Sequence, residues 1–169
     1  MNSMKNACAS LLFPVVFFTG CEKSGIETAA KELPAPVKIE LRSEEARLVK
    51  TDQQFAFEFF SNVFDEEAKD KDQSFMVSPF SLSMALAMTR NGAVGETKTA
   101  MQQTLKMEGY SDDDINGYYK KLKEALLKTD PSTQLSIANA IFTNKFVTIQ
   151  PDFIKTNTDY YDATVQPVD

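Results

Sequence analysis

Phe75-Met76-Val77-Ser78-Pro79-Phe80-Ser81-Leu82-Ser83-Met84-Ala85-Leu86-Ala87-Met88 is the stretch of this 169-residue chain on which the reading of the fold turns. It opens on three apolar residues that read as a short strand. Ser78 follows as a helix N-cap, with Pro79 at the first helical position, where a missing N–H leaves nothing unsatisfied. Residues 80–90 then carry Leu82, Met84, Ala85, Leu86, Ala87 and Met88, apolar almost all round. Such a pattern predicts a helix buried on every side, at the centre of a domain. Asn91-Gly92 ends it.

The flanking sequence surrounds that helix with amphipathic elements. Upstream, Ser43-Glu44-Glu45 reads as an N-cap followed by two acids at the positive end of a helix. Its apolar face is Leu48, Phe55, Phe59 and Val63, with Ala56 and Phe60 beside them, and the charged residues 65–72 form a solvated loop after it. Downstream, Gly95-Glu96-Thr97 opens a shorter helix with Met101 and Leu105 inward. Ser111-Asp112-Asp113-Asp114 has capping-box spacing and starts another, with Ile115, Tyr118, Tyr119, Leu122, Ala125 and Leu126 on one face, closed by Asp130-Pro131. Over residues 134–142 the period changes to two. Leu135, Ile137, Asn139 and Ile141 alternate with Ser136, Ala138, Ala140 and Phe142, which predicts a strand in a sheet covered on both sides. Pro151 begins a helix holding Phe153, Ile154, Tyr160 and Tyr161, and residues 163–168 read as extended. Helices followed by strands make an α+β arrangement.

Composition removes several kinds of chemistry. The chain is 43% apolar with 13 Phe and 5 Tyr, ample for a core. It has no histidine, so among these residues there is no Ser-His-Asp or Cys-His triad, no HExxH zinc site and no imidazole base. Its two cysteines, Cys8 and Cys21, are too few for a CxxC zinc site or a disulfide framework. No metal, cofactor or catalytic residue is expected, and no enzymatic activity. A formal charge of -6 argues against nucleic acid as a partner. The seven methionines read as core filler.

The N-terminus reads as a leader. After one charge at Lys5, residues 11–18 form an apolar run of eight, the length of a signal-peptide core and too short to span a bilayer, which takes about 20 residues. Phe18-Thr19-Gly20-Cys21 resembles a bacterial lipobox, which implies cleavage before Cys21 and lipidation of that cysteine; an ordinary secretory signal is the alternative. The expected organisation is a lipoprotein signal peptide over residues 1–20, a flexible tether over 21–42 stiffened by Pro34-Ala35-Pro36, and a folded part over 43–169. The expected location is extracytoplasmic, held at a membrane by acyl chains (periplasmic or cell surface), or secreted if the leader is the ordinary kind.

Four collinear motifs carry a family resemblance. Residues 75–88 closely resemble the strand-to-helix segment of serpins. Gly92-Ala93-Val94-Gly95-Glu96-Thr97 matches the family's GAxGxT turn. Leu135-Ser136-Ile137-Ala138-Asn139-Ala140-Ile141-Phe142 matches its LSIANALF strand, and Tyr160-Tyr161-Asp162-Ala163-Thr164-Val165 its YYxAxV segment. The chain departs from the pattern at Ser74, where serpins usually have Asn, and at Lys106-Met107, which replaces the common Gly after Leu105. The resemblance implies an α+β serpin-like fold: the N-terminal helices plus the first strands of the central sheet, an incomplete fold without the reactive loop.

It also implies a function. A serpin offers a loop as bait to a serine or cysteine protease, then inserts the cleaved loop into its central sheet and carries the acylated protease with it. By this resemblance the partner of the full-length protein is such a protease, and this portion alone is not inhibitory. Ser78, Ser81 and Asn139 match family positions behind the sheet opening, the shutter region. On their own, Ser78 is also a plain N-cap and Asn139 could face a loop. Lys120, Lys121, Lys123 and Lys128 resemble the helix on which some serpins bind glycosaminoglycans. Glu124 and the three leading aspartates interrupt any basic stripe, so that partner is not expected and an ordinary solvated face is. Two alternatives stand beside the inhibitor: a non-inhibitory serpin-like binding or structural lipoprotein, and a nonfunctional truncated product.

Overall fold

A computed structural model describes residues 35–168 apart from 70, 72 and 73. The leader, Cys21 and the start of the expected tether lie outside the described residues. Among the described residues, five helices and two strands follow in the order α1 (Ser43–Glu67), α2 (Pro79–Arg90), α3 (Gly95–Thr104), α4 (Asp112–Thr129), β1 (Ala140–Asn144), α5 (Pro151–Tyr161) and β2 (Thr164–Val168). The strands pair in parallel, Ala140 opposite Thr164 through Asn144 opposite Val168, with α5 as the crossover between them. A parallel pair needs such a connection, because a tight hairpin would reverse the chain.

Local signals explain most boundaries. The Ser78 Oγ accepts the Ser81 N–H at the start of α2. Ser111 and Asp114 form a reciprocal capping box on α4, the hydroxyl accepting the Asp114 N–H at 3.1 Å and the carboxylate accepting the Ser111 N–H at 3.2 Å. At α1 the expected cap is displaced by one residue. Arg42 is the N-cap and Ser43 the first helical residue, because Glu45 accepts both the Arg42 N–H (2.7 Å) and its Nε (2.8 Å). Residues 35–42 run extended along α4, where the Val37 N–H donates to the Thr129 carbonyl at 2.8 Å.

The core lies where α1, α2 and α4 meet. Leu48 and Phe55 of α1, Met84, Ala87 and Met88 of α2, Ile115, Tyr118 and Tyr119 of α4, and Tyr161 at the end of α5 are all buried. Leu105 and Met107 close it from beyond α3. Each such large side chain contributes about 1.5–3 kcal/mol on burial.

Three expectations about coverage are corrected. Residues 75–77 are extended but pair with no strand among the described residues; Phe75 instead stacks on Phe60 at 5.5 Å, and Met76 is exposed. The strand read over residues 134–142 is paired only over Ala140–Asn144, because β2 offers partners only from Thr164 onward. Nor is it covered twice: Ala138, Ala140 and Phe142 face outward, Phe142 at 65% exposure. Likewise α2 is not buried all round. Ser81, Ala85 and Thr89, four residues apart, form an exposed stripe. The methionines divide too, with Met84, Met88 and Met107 in the core and Met76 outside it.

Candidate functional site: the groove beside the central helix

The exposed stripe of α2 and the chain leading into β1 enclose an open groove of about 500 Å³. Ser78, Ser81 and Ala85 line one wall and residues 135–140 the other, with Met84 and Met88 at its base and Leu126 of α4 at one end. All three residues singled out in the sequence, Ser78, Ser81 and Asn139, line this one groove. Cys21, the fourth, lies outside the described residues.

The three polar residues singled out in the sequence have defined partners. The Ser78 and Ser81 hydroxyls share a hydrogen bond of 2.8 Å, and the Ser81 N–H reaches Ser78 Oγ at 3.3 Å. Ser78 therefore caps the helix and also presents a hydroxyl pair to the groove. Asn139 does not face a loop. Its side-chain amide donates to the Tyr161 carbonyl at 2.8 Å, while its backbone carbonyl accepts the Thr164 N–H at 3.0 Å. Tyr161 is the last residue of α5, where helical carbonyls lack intrahelical donors, so Asn139 supplies one.

Behind the groove lies a polar network that pattern reading overlooked. The Tyr161 hydroxyl, fully buried, donates to Asn116 Oδ1 at 2.7 Å. Burial pushes that phenol above its ordinary range, with Arg90 pulling the other way. Arg90, itself without exposure, donates through Nη1 to Asp112 (2.7 Å) and through Nη2 to Asn91 (3.4 Å). Asn91 donates in turn to Asn157 Oδ1 at 3.2 Å. Burial raises the Asp112 carboxyl, but hydrogen bonds from Lys98 and Arg90 outweigh it and hold the carboxyl low. The signal for Arg90 was present: it shares a helical face with Ser83 and Ala87, at spacings of seven and three.

Of the four lysines of α4, Lys120 and Lys128 are exposed as a solvated face would have them, whereas Lys121 is half-buried and Lys123 buried. Lys121 pairs with Glu45 at 2.6 Å, and Lys120 donates to the Asp159 carbonyl at 3.0 Å. Lys123, buried, pairs with Asp162 at 2.6 Å and reaches the Tyr160 carbonyl at 3.5 Å. Two of these cations thus sit at the negative end of α5.

With the parallel pair, the half-buried α2 and the groove in place, the comparisons with known proteins concur. The sequence matches the family model described as Serpin (serine protease inhibitor) over residues 50–169. The chain belongs to the serpin family. It is similar to antithrombin-III of Homo sapiens, 29% identical over 160 residues, covering 92% of this chain and 34% of that protein. It is also similar to leukocyte elastase inhibitor A of Mus musculus, 31% identical over 115 residues, covering 68% of this chain and 29% of that protein. Corticosteroid-binding globulin of Homo sapiens is 25% identical over 144 residues, covering 84% of this chain and 35% of that protein. Among solved structures, glycosylated human kallistatin superposes with a TM-score of 0.67 at 19% identity, over 75% of this chain and 34% of that one. The cleaved Serpin 42Da superposes with a TM-score of 0.63 at 21% identity, over 75% and 32%. The chain spans about a third of the length of the curated relatives it matches. The fold is serpin-like α+β, as the motifs implied.

Proposed function

We propose that this chain is the N-terminal portion of a serpin-type protease inhibitor, with the groove beside α2 as the place where its sheet parts. The observation that carries this reading is the convergence of Ser78, Ser81 and Asn139 on one open groove. The bait loop then belongs to sequence beyond residues 1–169. A target serine or cysteine protease attacks a carbonyl in that loop, expels the new amine and is left acylated. Insertion of the loop as an added strand would drag the acyl-enzyme along and distort its catalytic geometry, releasing strain stored in the uninserted sheet. Hydroxyl and amide groups in the groove suit this role, since the Asn139 amide ties the β1 lead-in to α5 while the Ser78 and Ser81 hydroxyls bond each other at the start of α2. The experiment is to cleave the bait loop of the full-length product and follow its thermal unfolding. Insertion raises the midpoint sharply; a midpoint unchanged by cleavage refutes the reading.

Similarity to corticosteroid-binding globulin, whose name states binding and not inhibition, favours a second reading: a non-inhibitory binding scaffold. Covalent trapping separates the two: an inhibitor forms an SDS-resistant complex with its protease and a binding scaffold does not. The lipobox-like Phe18-Thr19-Gly20-Cys21 supports an extracytoplasmic protein anchored through acylated Cys21. Palmitate labelling that disappears in Cys21→Ser supports the anchor, and labelling that persists rejects it.

A further inference from the structure

Away from the groove, a carboxylate is held at the junction of three helices with no cation to balance it. Asp52 of α1 accepts the Tyr118 hydroxyl at 3.1 Å on Oδ2 and the Tyr119 hydroxyl at 3.4 Å on Oδ1, both from α4. The Ser83 hydroxyl of α2 neighbours the same carboxylate, and it donates to the Phe80 carbonyl at 3.1 Å. Tyr119 and Ser83 are fully buried and Tyr118 is 3% exposed. The groups facing Asp52 are thus two phenols from α4 and one hydroxyl from α2. No lysine or arginine is among the described groups that touch it. Among the described residues, Glu45 is paired with Arg42 and Lys121, and Asp112 with Arg90 and Lys98. Asp52 is held by hydroxyls instead.

We infer that Asp52 is a proton-sensitive tie joining α1 to α4 and α2, tighter when its carboxyl is protonated. An ionised carboxylate can only accept hydrogen bonds, and the single Ser83 proton is claimed by the Phe80 carbonyl. A protonated carboxyl can instead donate to the Ser83 oxygen, a bond the ionised form cannot make, while still accepting from a phenol of α4. It also removes an uncompensated charge from a poorly hydrated site. In agreement, burial pushes the Asp52 carboxyl above its ordinary range and outweighs the hydroxyl donors that lower it. The two phenols are pushed up as well, by burial first and then by the Asp52 charge, so they remain donors throughout. A carboxyl raised in this way supports the fold fully below its unfolded value. That support is lost as the pH rises through the folded one. The device therefore tightens on acidification, opposite in sign to the Glu45 cluster at the start of the same helix.

The test is denaturant unfolding of the full-length product, wild type against Asp52→Asn, at pH values from about 8 down to about 4. Asn mimics the neutral carboxyl in shape and charge, and every other titrating group is common to both proteins. The expected result is a variant more stable than wild type at the alkaline end, with the gap in unfolding midpoint closing as the pH falls. A gap that is constant across the range, or widens towards acid, overturns the inference. If Asp52→Asn does not fold, Tyr118→Phe serves. Removing a donor to the ionised carboxylate should cost more at the alkaline end than at the acidic end, and equal costs overturn the inference. Neither result bears on protease inhibition, which is tested by its own experiment.

Discussion

The side-chain amide of Asn139, in the residue leading into β1, donates to the backbone carbonyl of Tyr161 at the end of α5, 2.8 Å away. One hydrogen bond thus ties the wall of the groove to the crossover helix. Asn139→Leu removes the donor and leaves a carbonyl at a buried helix end unsatisfied, at a cost of about 1–3 kcal/mol. Urea unfolding of the variant should show that loss in the midpoint with little change in slope.

Lys106 occupies a left-handed conformation, φ 58°, at the position where the family commonly has Gly. Its N–H donates to the Gln103 carbonyl and the Met107 N–H to the Gln102 carbonyl, which together form a Schellman closure of α3. Lys106→Gly should stabilise the fold by roughly 0.5–1 kcal/mol net of the entropy that glycine loses on folding. Lys106→Ala keeps the strain and also loses the 2.7 Å pair with Glu58, so it should be neutral or slightly destabilising. Thermal melts of the two variants, shifted in opposite directions, would locate the effect in the backbone.

The Lys123–Asp162 pair is lopsided, with side-chain exposures of 3% and 78%. Removing the exposed carboxylate in Asp162→Asn strands a buried ammonium, at about 1–2 kcal/mol. Removing the buried ammonium in Lys123→Met leaves only a solvated carboxylate, at less than about 1 kcal/mol. The two midpoints measured side by side should fall in that order.

Glu45 predicts the acid limb of the stability profile. Burial raises its carboxyl, but hydrogen bonds from Lys121, the Arg42 N–H and the Arg42 side chain outweigh burial and hold it down to about 2, against an ordinary 4.5. A depressed carboxyl contributes stability above its unfolded value, and that contribution drains away as the pH falls towards the folded one. Wild type and Glu45→Gln should therefore differ at neutral pH and converge between about pH 4 and about pH 2.

Much of this was legible in advance. Ser78-Pro79 and Ser111 through Asp114 announced their helices because capping is local chemistry, carried by residues three apart. Asn139 stood out as an amide in an apolar run, and the structure gives it a partner. What failed to show was tertiary. Whether Ala138 and Phe142 are covered depends on neighbours outside their own strand, and residues 75–77 look like a strand with or without a partner. Lys123 was read with the solvated face of its helix because charge is usually solvated, and the surroundings of Arg90 and Asp52 were not read at all. The burial of Lys123 follows from the end of α5 packing against α4, which no single helix encodes.

The central claim is that this chain is part of an inhibitor that traps its protease covalently. The most direct measurement is incubation of the full-length product with trypsin-like, elastase-like and papain-like proteases, followed by denaturing electrophoresis. The account predicts an SDS-resistant complex with at least one of them, at the summed mass of protease and inhibitor less the released peptide. Cleavage of the bait loop by these proteases with no covalent complex would contradict it.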